Sequence, residues 1–141
     1  MKILFATDGS VPALAALKSL IDRRAWFASP FDLTVLTVHY AMPFKRAAAW
    51  AGHDALKKYY DEESDATLAS AIAELTARGV PFKAEKRVGD PAATIVAAGV
   101  EGGYDLLVLG AQGHSALAHL MLGSVAVKVV AASPLPVLLL R

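Results

Sequence analysis

The 141-residue sequence predicts a single α/β domain built on a mainly parallel sheet. Three observations carry that reading. Five runs of strand length are apolar or alternate in polarity, four helical stretches fall between them, and each gap is long enough for the crossover of about a dozen residues that parallel strands require. No internal repeat, low-complexity tract or Pro/Gly-rich linker divides the chain, so residues 1–141 are expected to form one domain.

The elements follow in order. "KILFAT" (2–7) is a short apolar strand with the turn signal "DGS" behind it. Residues 11–25 place Leu14, Leu17 and Ile21 at helical spacing, with Ser10 as N-cap and Pro12 in the first turn. "DLTVLTVH" (32–39) is β-branched and strand-like. A connection without periodicity follows, holding Pro43 and Gly52, and residues 54–78 form the longest helix, closed by Gly79. "PFKAEKRV" (81–88) alternates apolar with charged positions, as a strand nearer a sheet edge does. "GDPAATIVAAGVEGG" starts a short helix, "YDLLVLG" (104–110) is a fully buried strand, and "PLPVLLLR" is a last apolar strand.

Composition limits what such a domain does. The chain is 55% hydrophobic and 19% charged, too apolar for disorder. Its apolar runs are of strand length, well short of the ~18 residues of a membrane-spanning helix. Fourteen basic and thirteen acidic residues are interspersed, for a net charge of +1. Duplex binding leaves a larger basic footprint, so neither nucleic acid nor a membrane is an expected partner. The N-terminus lacks the apolar region and cleavage site of a signal peptide, and there is no cysteine, so the cytoplasm is the expected compartment.

The segment from Leu107 to Val130 asks for explanation, because glycines stand at 110, 113 and 123 with Ser124 after the last. Glycine costs roughly 0.5–1 kcal/mol against alanine inside a helix or strand. In open α/β sheets ligands bind beyond the carboxyl ends of strands, where the winding reverses. The loops there are "TDGS", "HYAMPF", "VGDP" and "GAQGH". One reading makes Ser124 the N-cap of a final helix whose first N–H groups form an anion site. The other has Gly110 end a strand, Gly113 make a turn and Gly123 relieve crowding. Asp8 has the same two readings, as a ligand acceptor or as the closing residue of an Asp-Gly turn. A P-loop and a G-x-G-x-x-G fingerprint are both absent, which disfavours a P-loop NTPase and a standard dinucleotide enzyme.

Gly110-x2-Gly113-x9-Gly123-Ser124 resembles the nucleotide-binding signature of the ATP-binding branch of the universal stress proteins. "ILFATDGS", "TVLTVHY", "VGDPAATIV", "YDLLVLGAQGHSALAHLMLGS" and "SPLPVLLLR" extend the resemblance over essentially the whole chain. It implies an open, doubly wound five-stranded parallel sheet in the order 3-2-1-4-5, with helices on both faces. It further implies ATP, or alternatively AMP or ADP, as ligand, with Mg. Ala6, Thr7, Asp8 and Val38 match the positions near adenine, with Leu109 lining the pocket. Gly110 and Gly113 match positions around the ribose and phosphates, and Gly123, Ser124 and Val125 match the phosphate-binding turn. Gly89 lies in the corresponding third-strand loop, and His114 is placed to donate a hydrogen bond to phosphate. The resemblance also implies a homodimer paired through the last strand, at Val137, Leu138, Leu139 and Leu140.

This sequence departs from the family pattern. Gln112 stands where a basic residue is common, another basic residue is common near His119, and Ala126 stands where a second hydroxyl is common. A lost hydroxyl removes about 0.5–1.5 kcal/mol of phosphate binding. Lys128, one turn after Ser124, is either a compensating charge or a solvated lysine. His114 with Ser115, and His119 nearby, have poor spacing for a nucleophile and base or for zinc. Asp61-Glu62-Glu63 reads as a solvated helix face, and Tyr59, Tyr60 and Trp50 as a lid or an anchor. Lys45 and Arg46 fall in the same connection without a specific role. The expected function is therefore a nucleotide-responsive regulatory module in stress response, with slow ATP hydrolysis at most and no catalytic residue. The alternative is a family member that retains no nucleotide and acts through dimerisation and surface contacts.

Overall fold

A computed structural model describes residues 1–27, 30–41, 53–113 and 122–141. Its strands are β1 (Lys2–Ala6), β2 (Asp32–His39), β3 (Phe82–Val88), β4 (Leu106–Gly110) and β5 (Val137–Leu140). The helices are α1 (Val11–Asp22), α2 (His53–Ala77), α3 (Pro91–Glu101) and α4 (Ser124–Ala132). The strands form one parallel sheet in the order β3-β2-β1-β4-β5. The architecture implied by the family resemblance is the one observed.

β1 shows why the sheet is covered on both faces. Ile3, Leu4 and Phe5 are consecutive and all fully buried, whereas a half-exposed strand would alternate. The period of two sends them to different cores. Ile3 and Phe5 pack with Leu17, Leu20, Leu68 and Leu75, from α1 and α2. Leu4 and Ala6 pack with Ile95, Ala98 and Val129, from α3 and α4. Truncating any of these buried leucines to alanine would cost about 2–5 kcal/mol.

Helix starts and stops follow local chemistry. The Ser10 hydroxyl accepts from Ala13 N at 3.2 Å, and the Asp90 carboxylate accepts from Ala93 N at 3.0 Å, each with proline in the first turn. α1 is shorter than the 11–25 that periodicity predicts. Its last inward residue is Ile21; Arg23 leaves helical geometry at φ −101° and ψ 14°, and a 3-10 turn spans Arg24–Trp26. Residues 22–26 are all exposed, so no side chain there anchors another α-helical turn to the sheet. α2 ends as expected, with Gly79 at φ +60° and Val80 N donating to Leu75 O at 3.0 Å.

The two sheet edges differ. On β3, Lys86 pairs with Asp65 at 2.8 Å, and Arg87 pairs with Glu85 at 2.6 Å and Glu101 at 2.7 Å. Charge of this kind protects an edge from further pairing. β5 carries "VLLL" and each of its residues is half-buried.

Candidate functional site

The connections leaving β1 and β4 run to opposite faces of the sheet, so the winding reverses between these neighbouring strands. A cavity of about 590 Å³ opens there, at the carboxyl ends of β1, β2 and β4. It is lined by Ala6, Thr7, Asp8, Val38, Leu109, Gly110, Gly113, Gly123, Ser124 and Val125, ten residues that the sequence singled out. Gly89 is not among the described lining residues. Its N–H donates to His39 O at 2.8 Å, and a Cβ there would sit 2.5 Å from Thr94 Oγ1, so close packing over α3 accounts for this glycine. His114 lies outside the described residues, as do Ser115, His119, Lys45, Arg46 and Trp50.

The β1 loop is held by its own side chains. Thr7 N donates to Leu36 O at 2.9 Å, and Gly9 N donates to Thr7 Oγ1 at 3.1 Å. Asp8 Oδ1 accepts from Ser10 N at 3.0 Å, so Asp8 does close a turn. Its other oxygen, Oδ2, lies 2.7 Å from where a Cβ of residue 113 would stand. The turn-closing reading of Asp8 is the one observed, and the residue also lines the cavity.

The glycines divide by cause. A Cβ on Gly110 would come within 3.1 Å of Gln112 O and 3.4 Å of Ala13 Cα, where the α1 start crosses the end of β4. Crowding therefore explains Gly110. Gly123 is different, since its φ is −61° and the atoms nearest a Cβ are 3.6 Å or more away. Neither strain nor packing within the described chain requires glycine there.

Gly123, not Ser124, is the N-cap of α4; Ser124 is the first helical residue. The shift follows from backbone geometry, because Gly123 holds the extended φ/ψ of a cap (−61°, 144°) and its carbonyl accepts from Val127 N at 3.0 Å. Among the described residues no side chain caps this helix, unlike α1 and α3. Its first N–H groups have no intrahelical acceptor, and Gly123, Ser124, Val125 and Ala126 all line the cavity. Ala126 is 3% exposed, so the position lacking a hydroxyl lies inside the site. Lys128 is exposed on the same helix and is not a described lining residue.

Lining residues that the sequence did not single out include His39 at the end of β2 and Thr67 on α2; Glu63, on the helix face expected to be solvated, is exposed and lines the same end of the cavity. His39 Nε2 and Thr67 Oγ1 lie 3.4 Å apart, and Thr67 Oγ1 donates to Glu63 O at 2.9 Å. His39 was legible as the last residue of a strand entering a loop at the ligand-binding end. The rotation of α2, which brings Glu63 and Thr67 in, was not. Asp61 and Glu62 are exposed, as expected, and Tyr60 anchors α2 through its hydroxyl to Tyr40 O at 3.5 Å. Among the described residues, no cluster of three or more His, Asp or Glu could hold a metal ion, and no helix is long and apolar enough to cross a membrane.

Fold and cavity together place the chain among the open, doubly wound α/β proteins with a concave site at the switch point. The profile of the universal stress protein family matches residues 1–141, and the chain belongs to that family. It is 30% identical to a universal stress protein of Methanocaldococcus jannaschii, over 99% of this chain and 81% of that one. A universal stress protein of Synechocystis is also 30% identical over 99% of the chain, which spans 42% of that longer protein. The solved structure of a universal stress protein in complex with cAMP superimposes with a TM-score of 0.72 at 27% identity, covering 100% of this chain and 97% of that one.

Proposed function

We propose that the protein binds ATP, or AMP or ADP, in the switch-point cavity and acts as a nucleotide-responsive regulatory module in stress response. The observation that carries this reading is the N-terminus of α4, uncapped by any described side chain, opening on a cavity of about 590 Å³. That volume is within the 300–1,000 Å³ usual for small-ligand sites. Orphan N–H groups and the helix dipole favour a phosphate at the Gly123–Val125 turn. Small and apolar residues, Ala6, Val38 and Leu109, leave room for a flat base beside β1 and β2. A family member with cAMP bound supports a ligand of this class.

Binding rather than turnover is the activity proposed. No lysine or arginine lines the cavity among the described residues, so no described side-chain cation would neutralise charge developing during phosphoryl transfer. A triphosphate would arrive with Mg, which supplies that countercharge as part of the ligand. The edge strand β5 is the proposed pairing surface for a second copy, in a homodimer of the cytoplasm. Sedimentation velocity across a concentration series tests it, and a monomer throughout would overturn it.

The nucleotide reading is tested by melting temperature with and without excess Mg-ATP, in the native protein and in Gly123→Val. The variant fits the backbone but places methyl groups where phosphate would lie. Ligand at ~100 times its Kd adds about 2.7 kcal/mol, a shift of several degrees. A shift present in the native protein and missing from the variant supports the site. No shift with any nucleotide, in protein freed of carried-over ligand, selects the interaction-module alternative.

A further inference from the structure

The cavity has two chemically different ends. At the β4–α4 end its polar groups include the N–H donors of the α4 start. At the β2–α2 end the lining side chains are Val38, His39, Tyr40, Glu63 and Thr67. Hydrogen-bond accounting fixes the character of that second end. Thr67 has one hydroxyl proton, which it donates to Glu63 O at 2.9 Å. Towards His39 Nε2, 3.4 Å away, its oxygen is left to accept, and on this pairing we assign the ring hydrogen to Nε2. In the neutral imidazole, Nδ1 is then an acceptor, and among the described residues no hydrogen bond reaches it. The Glu63 carboxylate, when ionised, also only accepts. The Tyr40 hydroxyl can do either and does not discriminate.

We propose that His39, oriented by Thr67, is the residue that selects the base, accepting a hydrogen bond from an exocyclic amine and disfavouring a carbonyl at the same place. The inference rests on the nucleotide reading of the cavity and adds to it. A 6-amino purine presents a donor to this acceptor-rich end. A 6-oxo purine presents an acceptor, leaving both partners without a hydrogen bond.

ATP and ITP differ in this group and in the N1 proton that accompanies it, so the test is the affinity of each Mg-nucleotide by calorimetry. The native protein, His39→Phe and Thr67→Val are compared, with melting temperatures to show that each is folded. The native protein is expected to prefer ATP by about tenfold. His39→Phe keeps a flat ring without an acceptor, and its preference is expected to fall to within about threefold through weaker ATP binding, with ITP affinity unchanged. Thr67→Val, which frees the ring to rotate, is expected to fall between the two. A merely structural role for His39 would weaken both nucleotides alike and overturn the proposal. So would equal affinities in the native protein, or a ratio unchanged in His39→Phe. Failure of the native protein to bind either nucleotide would overturn the nucleotide reading itself, and this inference with it.

Discussion

The Asp8 carboxylate fills the space that a side chain at position 113 would need: Oδ2 lies 2.7 Å from an ideal Cβ on Gly113. This proximity sets the β1 loop beside the loop after β4, the two segments that flank the switch point. Gly113→Ala must push Asp8 aside and strain its bond from Ser10 N. Because a carboxylate is the movable end of a side chain, the cost is expected to be about 1 kcal/mol. In an Asp8→Ala background that cost is expected to vanish. Urea unfolding of the two single variants and the double variant reads the coupling. Additive effects would show that the two loops do not touch in solution.

Gly9 and Gly79 both have positive φ, +75° and +60°, but only one is crowded. A Cβ on Gly9 would lie 3.0 Å from Thr67 O and 3.2 Å from Thr67 Cα, whereas among the described residues nothing lies within 4 Å of one on Gly79. Gly79→Ala is therefore expected to cost the left-handed conformation alone, about 1–2 kcal/mol. Gly9→Ala adds a clash with helix backbone and is expected to cost about 1–3 kcal/mol more. Denaturant midpoints of the two variants check the order.

Gly123→Ser separates stability from ligand binding. A serine at this N-cap can accept from the N–H groups of the second or third helical residue, adding a few tenths of a kcal/mol to the free protein. The same hydroxyl competes with phosphate for those donors. The expected result is an unchanged or slightly higher melting temperature without ligand and a smaller upward shift with Mg-ATP. A larger ATP shift in the variant would count against the anion site.

Acid stability has an identifiable contributor on the α1–α2 face. Partial desolvation of Glu74 pushes its carboxyl upward and is the largest single influence. Hydrogen bonds from Arg78 and Lys18, with their charges, together outweigh it and hold the group below its ordinary value of 4.5. A carboxylate lowered in the folded state stabilises the fold above its unfolded value, and that contribution is lost as pH falls through the folded one. Melting temperature should drop on the acid side of about pH 4.5. In Glu74→Gln the native protein's advantage should shrink there and persist near neutrality. Curves that run parallel across the acid range would remove Glu74 from the account.

Much of this molecule is legible in one dimension. The helix starts at Ser10 and Asp90, the stop at Gly79 and the alternation along β3 are local, set by caps, φ preferences and a period of two over a few residues. The glycine spacing marked one wall of the cavity for the same reason, since backbone that must come close to something is written with glycine. Sequence could not say which glycine answers to what. Gly110 stands close to Gln112 O and Gly89 to Thr94 Oγ1, while Gly123 has no such neighbour among the described residues, and these distances exist only once the loops after β4 and β3 have taken their folded shape. The N-cap of α4 also fell one residue earlier than Ser124, because the choice depends on backbone angles that Gly123 and Ser124 could both adopt.

The second wall belongs to tertiary structure altogether. Glu63 and Thr67 lie on a 25-residue helix whose N-terminal half carries charges on several sides, so periodicity there does not say which face turns inward. That rotation comes from Leu68 and Leu75 entering the core beneath β1 and from Tyr60 reaching Tyr40. The residues along each strand and the order of helices and strands are properties of the chain. The meeting of His39 with Thr67, 28 positions apart, is a property of packing.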